Sequence, residues 1–173
     1  MKLDFEISDL VNFLLKARLK GYAGDGKKEE KPERPGFKEF YYKEEDFEYR
    51  DSYAGYFQAP GQEVIRFKGK PVWTMSYSGG MLPEFHGDLE LAKETFAFLK
   101  KTLQHVDPKK PFRGPEYFKE LDKFGDTSFQ YIDDNNGDVT NFEGVETILK
   151  EIDGSDVDVF RQNYVGGLII DKP

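Results

Sequence analysis

The chain has 173 residues, 16% aromatic and 34% charged, with a formal net charge of -8 and no cysteine. That length supports one domain with a real core. The missing cysteine excludes disulfides, thiolate metal sites and cysteine nucleophiles, and an acidic surface excludes direct nucleic-acid binding unless a basic stripe interrupts it.

The densest basic stretches, "GDGKKEEKPERPG" and "DPKKPFRGP", are diluted or short and read as solvated loops. No run approaches the roughly 20 apolar residues of a membrane span. The N-terminus carries acids early and spaces its apolar residues, unlike a signal peptide. The expectation is a cytoplasmic protein. Many lysines and glutamates without cysteine also suit a heat-tolerant source.

In chain order, Ser8 or Asp9 is placed to cap a first helix, whose Leu10, Phe13, Leu14 and Ala17 recur at spacings of three and four. Gly21 stops it, and a charged, proline-bearing loop runs to Gly36. "KEFYYKEEDFEYRDSY" alternates aromatics about Glu44–Glu45 and predicts a β-hairpin. "GQEVIRFKGKPVWTMSY" predicts a second hairpin, turning at Gly69.

A long helix follows, with Asp88 as its cap and Leu91, Thr95, Phe98, Leu99 and Leu103 as its buried stripe. "PEYFKELDKF" predicts a short helix. "TSFQYIDDNNGDVTNF" predicts a hairpin around Asn136–Gly137, and two further strands are expected around Asp153–Gly154.

Residues 47–82 and 129–169 carry the same words. "FEYRD" matches "FQYID"; Gly61, Glu63 and Ile65 match Gly144, Glu146 and Ile148; "YSGGML" matches "YVGGLI". An amphipathic helix precedes each copy, with an Arg-Pro-Gly or Arg-Gly-Pro element at Arg34 and Arg113. Ordered self-similarity of this kind reports duplicated structural units.

The expected fold is therefore α+β. Two tandem helix-plus-antiparallel-hairpin repeats, 9–82 and 88–169, lie in one domain spanning 1–173, with pseudo-two-fold symmetry and antiparallel sheet or sheets packed by helices. The paired glycines end a strand or admit another backbone.

Several motifs fail on inspection. "GYAGDGKK" lacks the hydroxyl and the strand-loop-helix context of a phosphate-binding loop. "DDNNGDVTNFE" places Ile132 where a calcium loop needs its first ligand, so it reads as a hairpin. His86 and His105 read as surface positions, and no metal site is expected.

The most pointed stretch is "YRDSYAGYFQAPGQEV". Arg50 is suited to hold a carboxylate or phosphate, and it falls on the opposite strand face from Tyr49 and Asp51. Asp51 and Glu63 could form a carboxylate pair for hydrolysis. Both recur, as Asp133 and Glu146, which favours a role in the fold. Arg50 and Trp73 do not recur, which favours them for a ligand.

At "RPGFKEFYY", "YRDSYAG", "GQEVIRFKGKPVWTMSYSGG" and "PFRGP" the chain resembles an uncharacterised bacterial and archaeal family of small domains. Some members stand alone, and others form the C-terminal part of regulators that carry an Xre-type helix-turn-helix. The resemblance covers about 10–169 and takes in Arg34, Pro35, Gly36, Arg50, Asp51, Ser52, Tyr53, Gly61, Glu63, Trp73, Tyr77, Phe112, Arg113 and Gly114. It implies a cytoplasmic sensing or interaction module with no assigned activity. No separate helix-turn-helix is expected within these 173 residues.

The leading expectation is a non-enzymatic domain without cofactor, binding a small polar or anionic ligand or a protein partner near Arg50, Tyr53, Trp73 and Arg113. The alternative is a hydrolase or lyase using Asp51 and Glu63, with or without the help of a metal and His86. A third reading is a homodimer or hetero-complex formed through an open sheet edge.

Overall fold

The structure, a computed structural model, describes residues 3–121 and 127–171. Helix α1 (Ile7–Leu19) leads into strands β1 (Lys38–Glu44), β2 (Phe47–Tyr53), β3 (Gly61–Phe67) and β4 (Lys70–Met81). Helix α2 (Leu89–Leu103) leads into β5 (Tyr117–Leu121), β6 (Thr127–Asp138), β7 (Asn141–Ile152) and β8 (Ser155–Leu168).

The strands form one antiparallel sheet in the order β1-β2-β3-β4-β8-β7-β6-β5. The α+β class and the antiparallel sheet are as expected, and one shared sheet replaces the open choice between one and two. Each run of four strands is a meander, and the two runs meet at a seam between β4 and β8, where Tyr77 faces Tyr164. No helix among the described residues is long and apolar enough to cross a membrane.

The predicted stripes are the buried ones. Leu10, Phe13, Leu14 and Ala17 of α1 pack on Tyr49, Ile65, Trp73 and Met75. Leu91, Phe98, Leu99 and Leu103 of α2 pack on Phe129, Tyr131, Ile148 and Phe160. Thr95 and Thr102 are fully buried, and each hydroxyl donates to the carbonyl four residues earlier, so no donor is stranded. Asp88 caps α2 by accepting from the Leu91 N–H at 3.0 Å.

Three expectations are corrected. Helix α1 starts at Ile7 with Glu6 in the cap position and no side-chain cap; Asp9 instead lies in the first turn, where the helix dipole favours a negative charge. Residues 117–121 of "PEYFKELDKF" form a strand, because alternation sends Phe118 inward onto Phe98 and His105 while Tyr117 and Leu121 stay exposed along the edge; residues 122–124 lie outside the described residues. The β6–β7 turn falls at Val139–Thr140, not at Asn136–Gly137. That turn buries Val139, whose carbonyl accepts from the Trp73 indole at 2.9 Å, and Asp138 Oδ1 closes it by accepting from the Thr140 N–H and hydroxyl. Strand β7 consequently serves two hairpins.

The paired glycines do admit another backbone. Gly79 and Gly80, at φ +143° and +147°, receive the 57–59 segment: the Ala59 N–H donates to the Gly79 carbonyl, and the Met81 N–H donates to Phe57. A Cβ on Gly80 would lie 2.1 Å from the Phe57 oxygen. Gly167 takes the β6–β7 turn in the same manner, a Cβ there lying 2.3 Å from the Thr140 oxygen, whereas a Cβ on Gly166 would meet the Thr74 oxygen of β4 and the Phe142 ring.

Candidate functional site

Both helices cover one sheet face, and beneath their junction lies a buried polar floor. On β2–β4, the Tyr77 hydroxyl donates to Asp51 Oδ1 at 2.6 Å. It reaches Asp51 by crossing Gly61, its register partner on β3, where a Cβ would stand 2.4 Å from the hydroxyl oxygen. On β6–β8, the Tyr164 hydroxyl crosses Gly144 and donates to Asp133 Oδ1 at 2.7 Å.

Two arginines complete the floor. Arg18, from α1, donates through Nε and Nη2 to Glu63 Oε2 at 2.9 and 2.8 Å, and through Nη1 to the Pro111 carbonyl. Arg113, from the segment before β5, donates to Glu146 Oε1 at 3.0 and 2.9 Å and stands 3.7 Å from Glu63. Tyr131 and Gln162 also donate to Glu146. Arginine and glutamate thus alternate as Arg18, Glu63, Arg113, Glu146, and the row is formally neutral.

Burial opposes the charge on Arg113, but Glu146 and Glu63 more than offset it and hold its pKa well above the ordinary value. The two aspartates lie beside this row without an arginine of their own. Burial, then the field of Glu63, pushes the Asp51 carboxyl up to about 7. Burial likewise pushes Asp133 up to about 6, against the hydrogen bond from Tyr164. Asp133 Oδ2 accepts from Asn135 at 3.1 Å, whereas no hydrogen bond reaches Asp51 Oδ2 among the described residues.

Asp51 faces a cavity of about 510 Å³ between the sheet, the C-terminal end of α1, the inner side of α2 and the segment after α1. Its walls are apolar and aromatic, with Tyr22, Phe40, Phe96 and Phe160 prominent among them. Arg18, Glu63, Tyr77, Arg113 and Gln162 share the floor with Asp51. Four lysines, Lys28, Lys38, Lys93 and Lys100, ring the mouth.

Of the residues singled out in the sequence, Tyr53, Arg113, Asp51 and Glu63 come together in this cavity. Arg50 does not join them. It lies on the opposite sheet face, 4.9 Å over the Tyr41 ring, paired with Glu39 and Glu33. There Glu39, fully buried, also accepts from Ser52 and from the backbone N–H groups of Glu33 and Arg34, so Arg50 belongs to a latch that pins the 27–36 loop. Trp73 is wholly buried under α1, stacked on Phe142. His86 meets the Met81 carbonyl and the Phe57 ring and does not line the cavity. Arg34 bonds Gln62 and does not repeat the part of Arg113; Arg18 takes that part for Glu63.

Arg18, Tyr22, Lys38 and Lys100 were not singled out. Arg18 carried a signal: it sits four positions after Leu14, on the buried stripe of α1, where an unpaired charge is costly. No group of three or more potential metal-ligating side chains gathers among the described residues.

A family model described as a domain of unknown function (DUF5680) matches residues 51–169, more than half of the chain, so the chain belongs to that family. The matched span holds Asp51, Glu63, Arg113, the seam and α2; α1 and β1 precede it. No curated protein and no solved structure matches the chain.

Proposed function

We propose that this member of the DUF5680 family is a small-ligand binding module whose site is the cavity under the helix junction. The carrying observation is the contrast inside that cavity: apolar walls above an ion-paired floor, with one carboxyl oxygen of Asp51 left without a partner among the described residues. A cavity of a few hundred cubic ångströms with few, convergent polar groups is the usual form of a small-molecule site. In this reading Tyr53 and Arg113 serve the ligand with Asp51, while Arg50 and Trp73 hold the fold.

Duplication explains why one half is hollow. The strand order, and the Tyr77–Tyr164 pair at the seam, support two copies of a helix-plus-four-strand unit related by a pseudo-two-fold axis within one domain. Aligning Gly61 with Gly144 sets Ala59 against Phe142. The contacts agree: the Ala59 N–H donates to Gly79, and Phe142 pairs with Gly166. Phe142 stacks on Phe112 at 4.4 Å and on Trp73, filling its half; Ala59, with its single methyl, lines the cavity.

Ala59→Phe is therefore the test. In a thermal-shift panel of metals, nucleotides, sugars and organic acids, a ligand at a hundred times its Kd stabilises by about 2.7 kcal/mol. A hit on the wild type that disappears in a folded Ala59→Phe supports the cavity. A hit that persists undiminished in that variant overturns it.

The near-neutral Asp51 carboxyl, facing the cavity, also suits a general acid or base. Turnover of a bound compound, lost in Asp51→Asn while binding is kept, would favour an enzyme over a sensor.

A further inference from the structure

The mouth of the cavity carries positive charge that the protein itself leaves uncompensated. Among the described residues, Lys28, Lys38 and Lys100 have no carboxylate within ion-pair distance, while Lys93 is paired with Glu90. On a chain with a net charge of -8, Lys16, Lys43, Lys101 and Lys110 each find a glutamate, and Lys70, Lys109 and Lys119, which also lack an ion-pair partner among the described residues, do not line the cavity.

Aromatic rings hold two of the three in place. Lys38 Nζ lies 5.5 Å from the centre of the Tyr53 ring and 6.0 Å from that of Tyr56, and donates to the Gly55 carbonyl at 2.8 Å. Lys100 Nζ lies 5.4 Å over Tyr22. Burial and the neighbouring Lys28 ammonium both lower the pKa of Lys38, the signature of cations gathered without a counter-ion. Below them the guanidinium groups of Arg18 and Arg113 are already engaged by Glu63 and Glu146, so the floor offers no free cation.

We propose, building on the cavity reading above, that the ligand is an amphipathic organic anion that enters tail first. Its acid group stays at the mouth among Lys28, Lys38 and Lys100. Its aromatic or acyl body lies between Phe40, Phe96 and Phe160, and its far end meets Asp51. A cationic amphiphile would have to pass the lysine ring to reach that carboxyl. A small hydrophilic anion would satisfy the lysines and leave the apolar walls wet. Charge at the mouth and apolar area within select together for one molecule carrying both.

The test uses two dyes with the same aromatic body. 8-Anilino-1-naphthalenesulfonate carries an anionic group, and N-phenyl-1-naphthylamine is its neutral counterpart. Fluorescence titration at low salt would compare the wild type, the triple variant Lys28→Gln/Lys38→Gln/Lys100→Gln, a control triple at Lys70, Lys109 and Lys119, and Ala59→Phe.

The sulfonate should bind the wild type at least about tenfold more tightly than the neutral dye. That preference should vanish in the rim triple, persist in the control triple, and weaken with salt. Ala59→Phe should lose both dyes. Decanoate and indole-3-acetate, added as competitors, distinguish an acyl from an aryl body. Equal binding of both dyes to the wild type, lost in Ala59→Phe, overturns the anion proposal and leaves the cavity reading standing. Equal binding by wild type and Ala59→Phe, or no binding at all, overturns both.

Discussion

Tyr77 faces Tyr164 across the seam between β4 and β8, and each tyrosine turns away from the other, passing over a glycine to donate its hydroxyl to an aspartate one strand further on. The pair fixes what Gly61 and Gly144 are for. Each is the only residue type that leaves room for a phenol ring lying flat across its strand.

Gly61→Ala should therefore destabilise the protein by about 2–4 kcal/mol, because Tyr77 must leave Asp51 and a buried carboxyl loses its donor. In the background of Tyr77→Phe the same substitution should cost clearly less. Urea denaturation of the four proteins in that double-mutant cycle measures the difference.

The two raised aspartates set a pH dependence. A carboxyl that holds its proton more tightly when folded stabilises the folded state below its unfolded pKa, and that contribution is lost as pH rises through the folded value. With Asp51 at about 7 and Asp133 at about 6, stability should fall between about pH 4 and pH 7 and level off above. Below pH 4 it should fall again, since Glu39, Glu44, Glu48 and Asp138 are all held below their ordinary values. Asp51→Asn should raise stability at pH 8 and flatten the slope between pH 5 and 7, as read by denaturant midpoints at each pH.

Arg18→Met should cost about 3–5 kcal/mol, because buried Glu63 then loses its hydrogen-bonded cation and keeps only Arg113, 3.7 Å away. Arg18→Met with Glu63→Gln should recover much of that loss. If the double variant is as unstable as the single, the ion pair is not the cause and the packing of Arg18 against Trp73 is.

Arg50→Ala should cost only about 1–2 kcal/mol, since Glu39 keeps Ser52 and two backbone donors. It should leave dye binding in the cavity unchanged and speed proteolysis within the 27–36 loop. Loss of dye binding in a folded Arg50→Ala protein would return that residue to the ligand site.

Much of this architecture could be read from period and turn chemistry. The buried faces of α1 and α2 follow from spacings of three and four, and alternation in β2 already put Arg50 opposite Asp51. Strand β5 was illegible because its five residues carry no turn signal of their own, and they are held by pairing with β6. Asn136–Gly137 misled because a local turn preference was overridden by burial of Val139. The cavity could not be read, because Arg18 meets Glu63, and Lys100 meets Tyr22, across long stretches of chain that no window spans.

The meander order also bears on how the molecule assembles. Among the described residues, six of the seven strand pairs join neighbours in sequence, so every strand can find one partner through a short connection. Only β4 and β8 must meet after half the chain has been ordered between them. Loop-closure entropy is thereby concentrated in a single late encounter. Substitutions along the seam should slow folding, while those in the outer hairpins should chiefly hasten unfolding.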